Sequence, residues 1–246
     1  MNKTGISWTE MTWNPIIGCL NPPDVCAVHG DCYARRTARR VGKMIGCKEC
    51  ERFIPHTHFE RLDQPLKRKK PTTIFVGSMA DMWGDWMMEG PMFQALQQTL
   101  DMIRACPQHR FLTLTKNPKR YLEFGLPPNL WCGVTVTGQG NDYRHLDTLA
   151  CSRSMNKRFI SFEPLLSDIG DHLTARPYLN RFDWLIVGPL NKSKRGPVTQ
   201  RAWVDRIIEH GEAAGVCVTL KPECKKLGYT DAELAKYSKV PWTREG

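Results

Sequence analysis

Short apolar runs recur along the chain beyond residue 71, and a turn and an amphipathic stretch separate each run from the next. These runs are rich in β-branched and aromatic residues, as expected of parallel strands that are covered on both faces. They are TTIFVGSM, HRFLTLTK, LWCGVTVTG, RFISFEPLL, FDWLIVGPL and VCVTLKP. Because strands alternate with helical stretches, the pattern predicts an α/β fold, a partial or full (β/α) TIM-like barrel with parallel strands.

Three further stretches have a local pattern of their own. Between the first two strands, apolar residues from Phe93 to Ile103 recur at helical spacing behind Pro91, which can open a helix. Near the end, a second such stripe runs from Trp203 to Ile208, and Gly215 stands where a left-handed residue would end the helix. A strand over residues 13–17 is expected to lead directly into a cysteine-rich stretch.

The length of 246 residues fits one barrel domain, 1–246, with two additions. Residues 33–70 interrupt the strand and helix rhythm and form a basic, cysteine-containing insertion near the N-terminus, in which YARRTARRVGKMIG predicts a helix. Residues 223–246 form a polar tail, in which YTDAELAKY predicts a short helix.

Positive charge is concentrated in the insertion. The chain has a net charge of +10, and residues 33–70 carry twelve Lys or Arg against four acidic residues. The basic residues expected to matter are Arg35, Arg36, Arg39, Arg40, Lys67, Arg68, Lys69 and Lys70. A basic stripe of this kind favours a polyanionic partner, DNA or RNA, although a solvated basic face would look the same in sequence.

The chain has no apolar run of the length that crosses a bilayer, and its N-terminus lacks the layout of a signal peptide. We therefore expect a soluble, cytoplasmic protein with no membrane partner. Disulfides are rare in that compartment, so clustered cysteines are expected to be ligands. Cys106, Cys132, Cys151 and Cys217 are scattered in apolar contexts and are expected to be buried.

Five of the ten cysteines fall within the first fifty residues, and three of them, Cys19, Cys26 and Cys32, share the stretch GCLNPPDVCAVHGDCYARR. Thiolates are strong ligands for soft metals, and three from one loop leave an open coordination position on a cluster iron. The stretch predicts a metal or iron–sulfur site.

A second metal interpretation competes with the first. Cys47 and Cys50 form a CxxC pair, and two further ligands from Cys26, Cys32, His29, His56 or His58 would complete a tetrahedral zinc site. The pair is either a separate structural site or two free thiols, and sharing of Cys26 or Cys32 with zinc stays open.

Polar residues follow almost every predicted strand. Active sites of (β/α) barrels are built at the carboxyl ends of the strands, so these residues are candidates for the site. They are Ser78, Asp81, Lys116, Thr137, Gln139, Glu163, Asn191 and Lys221. Glu163 stands between Phe162 and Pro164, where partial desolvation would suit acid–base work or the grip of a cation. Either Glu163 or Asp81 could instead be paired structurally with Lys116 or Lys221.

Seven blocks occur in order over roughly residues 5–222 and carry a family resemblance: WTEMTWNPIIGC with a following CYA, FVGSMADMW, FLTLTKNPKRY, LWCGVTVTGQ, RFISFEPLL, WLIVGPL and AAGVCVTLK. Together they resemble the phage-associated family of radical-SAM-like barrel proteins with a three-cysteine motif. The spacing differs from the usual CxxxCxxC, because six residues separate Cys19 from Cys26 and five separate Cys26 from Cys32.

The resemblance implies a radical-SAM-type enzyme that holds a [4Fe–4S] cluster on Cys19, Cys26 and Cys32 and binds S-adenosylmethionine. It implies an electron-donor protein as partner and a phage or bacterial host as source. Cofactor-binding candidates are Gly77, Ser78, Asp81, Thr137 and Asn191, and catalytic candidates are Glu163, Lys116 and Asp81. The expected reaction modifies a nucleotide or base in nucleic acid.

Two alternatives stay open. One is a TIM-barrel base-exchange enzyme, similar to a transglycosylase, in which Asp81 or Glu163 is the nucleophile and zinc is structural. The other is a non-enzymatic nucleic-acid-binding protein with a zinc-stabilised basic insertion.

Overall fold

The structure is a computed structural model that describes residues 1–151, 156–175, 178–190 and 199–244. The chain divides into two compact units, one built from residues 1–132 with Asn156, the other from the described residues of 133–151 and 157–244. The strand β7 (Leu130–Thr135) begins in the first unit and ends in the second.

The first unit contains six complete strands and three α-helices. The strands are β1 (Asn2–Lys3), β2 (Met11–Trp13), β3 (Ile16–Ile17), β4 (His56–Thr57), β5 (Thr73–Val76) and β6 (Arg110–Thr115). The helices are α1 (Tyr33–Ile45), α2 (Lys48–Arg52) and α3 (Gly90–Arg104). Short 3-10 helices cover His29–Asp31, Phe59–Arg61, Asp85–Met87 and Pro118–Glu123.

Parallel pairing orders the core strands of the first unit. β2 pairs with β5, placing Trp13 opposite Val76, and β5 pairs with β6, placing Ile74 opposite Phe111. β1 adds to the edge of β2 in the antiparallel sense. Helix α3 buries Leu96, Leu100 and Ile103 and begins with Pro91 in its first turn, which confirms the predicted helix.

The expected strand over residues 13–17 is in fact two strands, so the prediction of one was wrong. β2 ends at Trp13 in the parallel sheet, whereas β3 pairs with β4 in a separate two-stranded antiparallel sheet. Pro15 between them has no N–H to donate to a ladder. Asn14 turns its side chain to Ser78 and to the backbone N–H of Met79. The chain therefore changes sheets just before the cysteines begin.

The second unit contains three complete parallel strands, β8 (Arg158–Phe162), β9 (Trp184–Val187) and β10 (Cys217–Leu220), paired in that order. Its helices are α4 (Arg144–Ala150), α5 (Gly170–Thr174), α6 (Arg201–Ala213) and α7 (Asp231–Lys236). Short 3-10 helices cover Leu179–Arg181, Pro222–Leu227 and Pro241–Arg244. Helix α6 buries Val204, Ile207 and Ile208, and Gly215 beyond its end has φ +69°, as the sequence predicts.

The α/β class and all six strand predictions beyond residue 71 are confirmed. Counted with β7, eight strands form mostly parallel sheet structure. Within the described residues no strand pairing closes a barrel, so closure stays a prediction. The basic helix of the insertion is present as α1 and the helix of the tail as α7.

Burial of the scattered cysteines is confirmed at three of four positions. Cys106, Cys132 and Cys217 are buried, but Cys151 is exposed because it caps the end of α4 instead of lying on its inner face. None of the helices in the described ranges combines the length and apolarity that crossing a membrane requires.

Candidate functional site

The three-cysteine stretch, residues 18–32, is called the cysteine loop below. It leaves β3 through Gly18, whose N–H bonds the Met79 carbonyl oxygen at 3.1 Å. Gly18 has φ +102°, and a Cβ there would lie 2.4 Å from the carbonyl carbon of Ile54. Only glycine allows this conformation and this close backbone approach. The start of the cysteine loop is thus fixed between the segment after β5 and the segment before β4.

A buried carboxylate holds the cysteine loop against the ends of β5 and β6. Asp81 is 7% exposed, and its two oxygens accept four hydrogen bonds. The donors are the Asn21 side chain at 2.9 Å, the Trp83 N–H at 3.1 Å, the Thr115 hydroxyl at 2.8 Å and the Lys116 N–H at 3.1 Å. A carboxylate has about four lone-pair sites, so protein donors use all of them.

Cys19 lies close to this carboxylate. Burial raises the pKa of its thiol to about 11, the Asn21 N–H opposes that rise, and the charges of Asp81 and Lys116 act in opposite directions. The Asn21 N–H donates to Cys19 Sγ at 3.4 Å. Without a metal, Cys19 is therefore a thiol at neutral pH, and a bound cation is what would convert it to a thiolate ligand.

The other end of the cysteine loop is fixed by α1. Cys32 is the N-cap residue of this thirteen-residue helix. The hydroxyl of Tyr33 donates to the Ser78 carbonyl oxygen at 2.5 Å, and the Ser78 hydroxyl pairs with Asn14. Cys19, Cys26 and Cys32 are all partly buried. The cysteine loop is thus held at both ends, but among the described residues its three thiols do not gather within 4.8 Å of one another as the ligand atoms described next do.

A second group of possible ligands lies in the insertion and is called the Cys/His group below. It consists of Cys47, Cys50, His56 and His58, whose ligand atoms all lie within 4.8 Å of one another. In the described part of the chain, no other set of three or more His, Cys, Asp or Glu side chains gathers in this way. The structure thus brings the CxxC pair together with His56 and His58, and not with Cys26, Cys32 or His29.

In the second unit, the expected strand-end residues engage one another. Glu163, after β8, forms an ion pair with Lys221, after β10. The side chains are 26% and 12% exposed, so this pair is largely withdrawn from solvent. A Cβ on Gly188, after β9, would lie 2.7 Å from the Lys221 side chain, so glycine leaves room for that lysine. This is the structural pairing that the sequence left open.

Thr137 and Gln139 follow β7. The Thr137 hydroxyl donates to Asp142 at 2.6 Å, and its oxygen accepts the Gln139 N–H at 3.3 Å. Thr137 is 3% exposed, so its hydroxyl shapes the turn instead of meeting solvent. Asn191 lies outside the described residues.

Four of the eight basic candidates in the insertion contact other side chains. Arg35 bonds His29 at 3.0 Å and lies over the Phe53 ring, and Arg36 pairs with Asp31. Lys67 pairs with Asp63 at 2.7 Å, and Arg68 donates to Thr72. The remaining four are exposed: Arg39, Arg40, Lys69 and Lys70.

Two asparagines were missed as candidates. Asn21 links the cysteine loop to Asp81, and Asn14 links the chain after β2 to Ser78 and Met79. An Asn before proline in a strand pattern is a turn signal that could have identified Asn14. No local pattern distinguishes Asn21, since its partner lies sixty residues away in sequence.

Comparisons with known proteins give one family and one solved structure. The family model described as "Protein of unknown function (DUF5131)" matches residues 3–239. No curated protein matches. A solved structure of a spore photoproduct lyase mutant with bound AdoMet and dinucleoside spore photoproduct is similar, at 11% identity and a TM-score of 0.49. The similarity covers 85% of this chain and 62% of that one, so the chain spans about three-fifths of that protein. The match over nearly the whole length shows that this chain belongs to the DUF5131 family.

Proposed function

We propose that this protein is a radical-SAM-type iron–sulfur enzyme that modifies a nucleotide or base in nucleic acid. The hydrogen bond from Asn21 to Asp81 is the observation that carries the proposal. It joins a loop with three thiols to the carboxyl ends of two parallel strands, where enzymes of α/β architecture bind their ligands. This bond supports the proposal because it holds the start of the cysteine loop, with Cys19, beside polar strand-end groups.

Cys19, Cys26 and Cys32 would hold the cluster, and Gly77, Ser78 and the backbone beside them would face the cosubstrate. When bound, the cluster would supply one-electron reduction of S-adenosylmethionine, with the electron coming from a donor protein. Asp81 positions the cysteine loop, because all its lone pairs are bonded within the protein. Lys116 supplies positive charge beside Cys19.

The finer parts of this proposal follow from the resemblance and the charge distribution. They are a partial barrel, phage or bacterial origin, a cytoplasmic location, and DNA or RNA as substrate. The exposed side chains of Arg39, Arg40, Lys69 and Lys70 support a polyanion, because they carry charge that no described acidic partner neutralises. Glu163 and Lys221 pair with each other in the second unit, which is the structural role that the sequence left open.

The test of the redox chemistry begins with anaerobic purification of the full chain and analysis of iron, sulfide and zinc. We expect about four irons and four sulfides per chain and reductive cleavage of S-adenosylmethionine. Cys19→Ala should lose the cluster and all cleavage, whereas Cys151→Ala, an exposed thiol in the second unit, should keep both. Cleavage by purified Cys19→Ala would overturn the proposal.

The nucleic-acid part has its own test. Arg39→Glu with Arg40→Glu should weaken binding to DNA or RNA and reduce its salt dependence, because each phosphate contact releases counterions. Lys225→Glu with Lys226→Glu is the matched control, since it changes the net charge equally within the second unit. Equal losses in the two double variants would show a general charge effect and no binding face on α1.

The Cys/His group supports one alternative, a zinc-stabilised protein that binds nucleic acid without catalysis. It predicts zinc without iron and salt-sensitive binding that survives Cys19→Ala. The base-exchange alternative gains no support at Asp81, because a carboxylate with four bound donors has no free lone pair for nucleophilic attack.

A further inference from the structure

The four side chains of the Cys/His group direct their ligand atoms toward a common point. Cys47 Sγ lies 3.5 Å from His56 Nε2, and Cys50 Sγ lies 3.3 Å from His56 Nε2 and 3.2 Å from His58 Nε2. The two Nε2 atoms are 3.1 Å apart. Cys50 is fully buried and His58 is 9% exposed, so solvent does not separate these atoms.

In each histidine, the hydrogen bond made by Nδ1 decides whether Nε2 has a lone pair for a metal. His56 Nδ1 lies 2.8 Å from the Ile54 carbonyl oxygen, and His58 Nδ1 lies 2.9 Å from Glu60 Oε1. An oxygen that only accepts requires a proton on Nδ1, so in a neutral ring Nε2 carries a lone pair. Two such lone pairs face each other and two sulfurs. A cation at the centre satisfies all four atoms at once, and the carbonyl and carboxylate behind the rings are the outer partners usual for metal-bound histidine.

The distances are consistent with tetrahedral coordination of zinc. Zinc bound to two sulfurs at about 2.3 Å and two nitrogens at about 2.0 Å in a tetrahedron holds its ligand atoms roughly 3.3–3.8 Å apart. Four of the six separations are 3.1–3.5 Å, close to this range, and the other two are within 4.8 Å. The Cys50 N–H also donates to Cys47 Sγ at 3.4 Å. Tetrahedral sites with two sulfur and two nitrogen ligands favour zinc.

The place of the group in the fold gives the ion a role. β4 contains His56 and pairs with β3, which leads into the cysteine loop. Cys50 packs in one apolar cluster with Ile17 of β3 and with Ala34 and Ala38 of α1, which follows the cysteine loop. The group therefore contacts the elements on both sides of residues 18–32.

We propose that Cys47, Cys50, His56 and His58 bind one structural zinc ion, which fixes β3 and α1 and so holds both ends of the cysteine loop. None of the four ligands belongs to the cysteine loop, so zinc binding can be measured separately from the proposed radical chemistry.

The experiment measures zinc and iron on the full-length protein and on variants of it. Wild type should carry about one zinc per chain, and Cys47→Ala and His58→Ala should lose it. Cys151→Ala and Cys19→Ala should keep zinc, the second even where iron is lost. Glu60→Gln keeps all four ligands and should weaken zinc affinity about 10-fold in a chelator competition, since it changes only the outer partner of His58.

Cobalt reconstitution uses the wild-type protein, so it tests the site even where a variant fails to fold. Wild type reconstituted with Co²⁺ should show the intense visible bands of a tetrahedral site with thiolate charge transfer. Wild type without zinc, or with an octahedral cobalt spectrum, would overturn the zinc proposal whatever the iron content. Zinc lost from Cys19→Ala but retained by Cys47→Ala would assign the metal to the cysteine loop and equally overturn it. Iron and cleavage activity report separately on the proposed function.

Discussion

The cysteine loop and the Cys/His group lie in the same unit, yet their donor atoms are held in different ways. In the Cys/His group the chain brings four donors within 4.8 Å. In the cysteine loop the three thiols are partly buried, and hydrogen bonds from Asn21 and Tyr33 hold the backbone around them. A closed set of four ligands is typical of a structural metal, and three ligands with an open position are typical of a reactive one.

The largest expected effect is that two single variants each lose a different metal. Cys19→Ala should lose iron and all cleavage of S-adenosylmethionine while keeping zinc, and Cys47→Ala should lose zinc. Elemental analysis of both proteins, beside Cys151→Ala, measures this. The comparison fails if both variants lose both metals in equal proportion while staying folded, because the ten cysteines would then not divide into two sites.

Glycine substitutions test how the cysteine loop is held. Gly18→Ala should destabilise the protein by about 3 kcal/mol, because φ is +102° and the new Cβ meets the Ile54 backbone at 2.4 Å. Gly46→Ala is the matched control, with φ +70° and nothing within 4 Å, and should cost about 1 kcal/mol. Denaturant unfolding of the two proteins gives the difference. Equal losses would mean that the segment before β4 does not confine Gly18.

A smaller effect is expected at the carboxylate that anchors the cysteine loop. Asp81→Asn replaces one acceptor oxygen by an NH₂ that faces bound donors, and should cost about 1–3 kcal/mol and lower iron content. Asp85→Asn, whose side chain is 65% exposed beside Arg120, should cost about 0.5 kcal/mol or less. Urea unfolding with iron analysis tests both. Full iron occupancy in Asp81→Asn would show that the anchor does not position the thiols.

The smallest expected effect concerns Glu233 in α7, which lies outside the cysteine loop and the Cys/His group. It does not depend on a bound metal. A hydrogen bond from the Thr230 N–H and, to a smaller extent, one from the Arg201 side chain lower the pKa of Glu233 from 4.5 to about 2. A lowered folded-state pKa contributes stability that is present above the unfolded value and is lost as pH falls through the folded value. The stability difference between wild type and Glu233→Gln should therefore shrink between pH 4.5 and about 2. A stability difference that stays constant over this pH range would show that Glu233 does not contribute to the loss of stability in acid.

The spacing of apolar residues predicted many of the strands and helices, because that spacing is a local property of the sequence. Each strand beyond residue 71 is a short apolar run bounded by turn residues, and α3 and α6 show apolar stripes at helical spacing. The same reasoning failed at residues 13–17, where apolar character alone predicted one strand. Pro15 and the side-chain bonds of Asn14 divide it between two sheets.

Candidate residues could be named from sequence, but their partners could not. Glu163 and Lys221 each follow a strand, and their ion pair joins positions fifty-eight residues apart. The sequence left Asp81 either as a strand-end acid of the site or as the partner of Lys116 or Lys221, whereas it accepts bonds from Asn21 and from the segment after β6. Partners this distant leave no local signal.

The sequence by itself determined which residues are able to bind metal, where six of the strands and four of the helices lie and where positive charge collects, because residue chemistry and periodicity act over a few neighbours. Only the tertiary structure decided which ligands meet. CxxC allowed five possible partners, and the pairing of β3 with β4 and the burial of Cys50 against α1 brought it to His56 and His58. Sheet register and core packing set the distances between ligand atoms, and both depend on contacts between segments that are distant in sequence.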